Sequence, residues 1–174
     1  MMTHVVLTLI GPDRPGLVSA LSEKAAACGA NWLESRLASY SGRFAGAVHL
    51  HVPAEKADAL IAALRETESS GLRLVIERAD AEPAGGRAVG LELVGQDRPG
   101  IVRDVSRVLA ARKVSIDSLD TEYVSGSWSG ENLFRAHARL RIPSGMRDDE
   151  LRSALEAIAD ELMVDISLHE LAEG

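Results

Sequence analysis

The hexapeptide Gly11-Pro12-Asp13-Arg14-Pro15-Gly16 returns 84 residues later as Gly95-Gln96-Asp97-Arg98-Pro99-Gly100. In each copy a short apolar run rich in branched residues precedes the turn, and an amphipathic run follows it. Any fold for this chain must therefore place the same strand–turn–helix twice, and the chain reads as two versions of one unit.

Residues 5–10 read as a strand. Pro15 suits the first turn of the following helix, and Asp13 is a candidate N-cap. Leu17, Val18, Leu21 and Ala25 recur at helical spacing, with Ser22 and Glu23 outward, and Gly29 ends the helix as a C′ residue. Residues 31–40 and 43–52, joined by Ser41-Gly42, read as a β-hairpin. In its second strand Val48, Leu50 and Val52 alternate with His49 and His51. Pro53 opens a second helix with Ala57, Leu60, Ile61 and Leu64 buried; Ser70-Gly71 breaks it, and 72–77 is a fourth strand. The second unit repeats the order. A strand at 89–94 leads to a helix buried through Ile101, Val102, Val105, Val108 and Leu109. A hairpin at 115–124 and 132–142 has its tip at 125–131 with Trp128. A last helix is buried through Leu151, Leu155, Ile158 and Leu162, and 164–168 closes the unit. Alternation slips between Ile116 and Leu119, which predicts a bulge. The order βαββαβ, twice, predicts an α+β chain of two ferredoxin-like sandwiches, each an antiparallel sheet with helices on one face. The boundaries expected are 1–79 and 88–174, with 80–87 as linker.

Composition narrows the partners. Net charge is −7 and no stretch forms a basic stripe, which argues against direct nucleic-acid binding. Aromatic residues make up only 3%, too few for base-stacking platforms. The start of the chain lacks the pattern of a signal peptide, and no apolar run reaches membrane-spanning length. The single cysteine, Cys28, excludes an internal disulfide. The expectation is a cytoplasmic, soluble protein with a small-molecule or protein partner. Units of this size are expected to share an interface or to form a homodimer.

Both copies of strand, Gly-x-Asp-Arg-Pro-Gly-[Leu/Ile]-Val and helix, followed by Ala30-Asn31-Trp32 or Val114-Ser115-Ile116, resemble ACT domains. The layout of two units without a catalytic domain is similar to the glycine cleavage system transcriptional repressor family, most closely through residues 31–37. Similar first units head formyltetrahydrofolate deformylases and phosphoserine phosphatases. The resemblance implies amino-acid sensing, with ligand at a domain edge between the strand-one loop and the start of strand two. Carried onto this sequence, it nominates Gly11, Asp13, Arg14, Gly16 and Asn31 in the first unit, and Gly95, Asp97, Arg98, Gly100 and Ser115 in the second.

The chemistry of these residues suits a free amino acid. A helix N-terminus offers unpaired N–H groups to a carboxylate. Asp13 or Asp97 can take the ammonium, unless it caps its own helix. Arg14 and Arg98 either clamp a carboxylate or lie solvated in the first turn. Ser115 offers fewer hydrogen bonds than Asn31, so the first-unit site is expected to bind better. The same turn also serves a purely structural role. His49 and His51 share a strand face, with His137 in the second unit, but no ligand set completes a metal site, and no metal or cofactor is expected. Cys28 and Trp32 are expected in the core, and Trp128 at a loop tip as a partner anchor. No nucleophile–base pair, phosphate loop or zinc motif is present, so an enzyme is not expected. The function expected is amino-acid-dependent regulation, acting on transcription indirectly through a DNA-binding protein partner. The alternatives are a ligand-independent interaction module, or an accessory regulatory subunit of an amino-acid or one-carbon metabolism enzyme.

Overall fold

The computed structural model of the chain describes residues 1–80, 85–125 and 130–172. The expected anchor Trp128 and the linker positions 81–84 lie outside the described residues. The chain divides into two units, Met1–Glu82 and Pro83–Gly174.

In the first unit the elements are β1 (Met2–Pro12), α1 (Leu17–Ala27), β2 (Asn31–Tyr40), β3 (Arg43–Pro53), α2 (Ala57–Arg65) and β4 (Arg73–Ala79). In the second they are β5 (Arg87–Gln96), α3 (Ile101–Ala111), β6 (Ser115–Ser125), β7 (Asn132–Ile142), α4 (Asp148–Leu162) and β8 (Val164–Glu170). The sheets run β2-β3-β1-β4 and β6-β7-β5-β8, and every neighbouring pair is antiparallel. These are the two ferredoxin-like α+β units that the sequence predicts.

Strict alternation builds each core. Val5, Leu7 and Leu9 of β1 face Leu50, Val48 and Gly46 of β3, and the helices lay Leu17, Leu21, Ala25, Leu60 and Leu64 over them. Val89, Leu91 and Leu93 do the same against Leu140, Ala138 and Ala136, under Ile101, Val105, Leu109, Leu151 and Leu155. Each leucine fully buried in this way contributes roughly 1.5–3 kcal/mol relative to exposure. Trp32 packs against the first core from its edge strand, as expected.

Several local expectations change. Val18 and Val102 are 45% and 44% exposed, because they sit one step round the helix from the stripe that meets the sheet. Cys28 is only half-buried at the C-cap of α1. Pro53 ends β3, and a 3₁₀ turn, Ala54–Lys56, precedes α2; a second, Glu66–Ser70, follows it. The bulge lies between Ile116 and Ser118, and a matching one between Trp32 and Glu34 escaped the sequence pattern.

The faces turned away from the helices differ. The first sheet shows His4, Val6, Thr8, Ala47, His49 and His51. The second carries charge pairs across its strands: Arg135–Glu122 at 3.5 Å, His137–Glu92 at 3.4 Å and Arg141–Asp117 at 2.6 Å. No helix among the described residues is long and apolar enough to cross a membrane.

Candidate functional site

The two repeated turns are built alike. Each leaves the central strand and is pinned at once to its own hairpin: Asp13 N–H donates to the Gly42 carbonyl at 3.1 Å, and Asp97 N–H to the Asn132 carbonyl at 2.8 Å. Gly16 and Gly100 then take left-handed conformations, φ 88° and 93°, and act as the N-caps. Their carbonyls accept the first helical bonds, from Ala20 N–H and Asp104 N–H, both at 2.9 Å. The expectation that Asp13 caps α1 is therefore corrected. The cap falls at the last glycine of the hexapeptide, because Pro15 and the left-handed glycine complete a turn before the helix starts. Pro15 and Pro99 stand just outside the helices. Neither helix has a side-chain cap, so the N–H groups of both first turns have no capping side chain.

The other hexapeptide residues divide between architecture and availability. Gly11 is buried, and a Cβ there would lie 2.8 Å from Leu72 Cδ2; at Gly95 a Cβ would overlap Val164. These glycines make room for the chain's own fourth strand. Arg14 donates through Nη2 to the Ser70 carbonyl at the end of the second 3₁₀ turn. Arg98 donates through Nη1 to the Leu162 carbonyl at the end of α4, at 3.4 Å. In both units the repeated arginine thus closes the C-terminal end of the second helical segment, a favourable place for a cation. Asp13 and Asp97 are exposed, and neither carboxylate has a side-chain hydrogen bond or ion pair among the described residues.

Asn31 and Ser115 stand apart from the turns. Asn31 pairs with His51, which pairs with His4, whereas Pro12 pairs with Arg43. Asn31 is therefore level with the beginning of β1, and the turn follows its end. At about 3.3 Å per residue the two ends lie roughly 25 Å apart along the sheet. Ser115 is likewise level with Ala88, far from Gln96. Within one unit the nominated residues form two groups, Gly11, Asp13, Arg14 and Gly16 at one end and Asn31 at the other. The side chains of Asn31 and Ser115 are exposed and make no hydrogen bond among the described residues.

Electrostatics separate the two turns. Asp104 lies in the first turn of α3, where α1 has no acidic residue. The Arg103 guanidinium, bonded at 2.9 Å, holds the Asp104 carboxyl below the usual carboxylate range, with Arg107 and Arg98 adding to the effect. This helix start already has a resident anion, and the first unit's does not. Sequence reasoning also missed His4, which joins His49 and His51 on one face; its partners are set by strand pairing 45 and more residues away.

Fold and turns define two α+β units of one type, each with a helix that starts behind a Gly–x–Asp–Arg–Pro–Gly turn. Residues 3–76 match the ACT domain family. The structure is similar over 99% of this chain and 100% of the other to an unknown protein from Galdieria sulphuraria, with 31% identity and a TM-score of 0.84. It also shares its fold with a candidate glycine cleavage system transcriptional repressor, at 20% identity and TM-score 0.68, covering 99% of both chains. No curated protein sequence matches the chain. The first unit is thus an ACT domain, and the second unit repeats its fold.

Proposed function

We propose that this chain is a non-catalytic, cytoplasmic amino-acid-binding regulator that acts on transcription through a DNA-binding protein partner. The observation that carries the reading is the first-unit turn: an uncapped helix N-terminus beside an exposed Asp13 carboxylate with no partner among the described residues. The helix end suits the ligand carboxylate, and Asp13 suits its ammonium. Gly11, Arg14 and Gly16 hold that turn in shape. Asn31 enters from a second copy: two first units meeting edge to edge about a two-fold axis bring the β2 start of one toward the turn end of the other. The second-unit residues Gly95, Asp97, Arg98, Gly100 and Ser115 form the weaker counterpart, because Asp104 competes for the same helix end. Similarity in fold to a candidate glycine cleavage repressor supports the regulatory reading. The acidic chain, at net charge −7, favours an indirect route to DNA.

A thermal-shift and calorimetric screen of the full chain with glycine, serine and the other common amino acids tests this. Stabilisation by at least one, weakened in Asp13→Ala and Asn31→Ala, is expected. No response to any of them would overturn the sensing role. The second reading, a ligand-independent assembly module, is favoured by Leu33 and Tyr40 exposed on edge strand β2 and Leu119 and Tyr123 on edge strand β6. It predicts a stable dimer that ignores amino acids.

A further inference from the structure

The chain has five histidines, and three of them share one patch of the first sheet. His4 lies on the central strand β1, directly opposite His51 on β3, and His49 is two residues back along β3 on the same face. All three are half-buried. His4 Nδ1 is 2.8 Å from His49 Nε2, and the His4 ring is stacked on that of His51 with centroids 4.7 Å apart. The groups facing them from the adjacent strands are few. Glu34 on β2 is opposite His49 and Asn31 is opposite His51; on β4, Ala79 is opposite His4 and Glu77 is opposite Val6. A shallow groove lined by Val6, Glu34, Arg36, Ala47 and His49 opens beside the cluster.

We infer that His4 and His49, with His51 turning in from its stacked position, bind a divalent transition-metal ion of the class that prefers imidazole, such as Zn²⁺ or Ni²⁺. As placed, no three metal-ligating side chains among the described residues converge on one point; His4 and His49 are the pair in contact, and His51 has to leave its stack on His4 to join them. Two nitrogens each about 2.0–2.1 Å from one ion stand roughly 3 Å apart. The hydrogen-bonded His4–His49 pair already holds nearly that spacing. One imidazole donates to the other in that pair; metal binding needs the donor to move its proton to its other ring nitrogen and both rings to rotate until their lone pairs converge on the ion. The antiparallel ladder fixes the spacing of all three side chains, since directly opposed residues lie about 4.5–5.5 Å apart at Cβ. Glu34 on the neighbouring strand is paired with Arg36, Oε1 to Nη2 at 3.3 Å, so the imidazoles are the ligands. In the second unit, by contrast, His137 is opposite Glu92 and His169 is opposite Gly90, and no such triangle forms.

Titration of the full chain with zinc chloride by calorimetry is expected to show one ion bound per chain. His4→Ala and His49→Ala should each weaken it by at least about tenfold, while the double variant His137→Ala/His169→Ala leaves it unchanged. Absence of zinc binding by the natural chain would overturn the inference. So would binding that survives both single substitutions, or that disappears in the second-unit variant. A measurement on the unmodified chain guards against misfolding of the variants. On adding paramagnetic Ni²⁺, three of the five histidine ring-proton signals should broaden ahead of the other two, and uniform broadening would likewise overturn the site. Neither outcome bears on amino-acid binding at the turn.

Discussion

The first unit leaves both helical segments through glycine, at Gly29 (φ 71°) and Gly71 (φ 97°); the second leaves them through Lys113 (φ 57°) and Met163 (φ 55°). The hydrogen bonds are the same. Ala30 N–H reaches the Ala25 carbonyl and Gly29 N–H the Ala26 carbonyl; Val114 and Lys113 bond Leu109 and Ala110 in the same way, at 2.9–3.0 Å. This is the two-bond C-terminal motif that calls for a left-handed residue. The core shows the same freedom. Trp32, Val48 and Leu21 in the first unit stand where Ile116, Ala138 and Val105 stand in the second, while Ala25 and Gly46 are replaced by Leu109 and Ala136. Bulk lost on one side of the sandwich is returned on another. Those three smaller side chains help line a shallow apolar groove between α3 and β6 in the second unit. The lesson is that the pattern of buried positions and turn conformations is held, while the side chains meeting it are exchanged in groups.

The sharpest way to break the equivalence is at the third strand. Gly46 has φ 152°, and a Cβ there would overlap the Arg36 carbonyl oxygen of β2, yet its counterpart Ala136 is a buried core residue. Gly46→Ala is expected to destabilise the first unit by about 3 kcal/mol, whereas Ala136→Gly should cost the second only about 1 kcal/mol. Denaturant unfolding of the full chain reads both, and equal effects would show that the two hairpins tolerate the same side chain.

A smaller effect of opposite sign is expected at the helix exits. Lys113→Gly should stabilise the second unit by about 0.5–1 kcal/mol, and Gly29→Ala should destabilise the first by about 1 kcal/mol. Thermal melts of the two variants beside the natural chain check this; a loss of stability in Lys113→Gly would mean that the lysine side chain earns its place by contacts.

The smallest effect concerns an ion pair special to the second unit. Arg87, the first residue of β5, forms a two-pronged salt bridge with Asp148, the first residue of α4. That bond holds the Asp148 carboxyl below its ordinary range. A depressed carboxyl contributes stability that is fully present above its unfolded-state value, about 3.9, and is lost as pH falls through the lower folded value. Melting temperature should therefore fall less steeply on acidification in Asp148→Asn, and more salt should shrink the difference at neutral pH.

Much of this fold is legible in the sequence because its signals are local. Alternation at Val48, Leu50 and Val52 sets the face of β3, Gly29 marks a helix end, and the slip between Ile116 and Leu119 marks a bulge. What stays hidden depends on distant pairing. Arg14 finds its carbonyl 56 residues away, and His4 finds His49 across 45; no spacing rule within a single element reveals either. Of the candidate site, the turn is legible in the sequence and the layout is not. The hexapeptide identifies the turn, but only the parallel alignment of β1 and β2 through β3 shows that Asn31 belongs to the far end of the sheet. Val18 and Val102 misled for a related reason: helical periodicity marks an apolar stripe without telling how wide a sheet lies beneath it.

The central place of β1 and β5 has a consequence in time. Each is made first in its unit, yet its two sheet neighbours are made later, the second only at the unit's last strand. During synthesis each unit therefore carries this apolar strand with both edges open until its third strand is made, and with one edge open until its final residues emerge. The first sheet can close before the second unit has been made, so the order of the repeats limits exposure to one unfinished strand at a time.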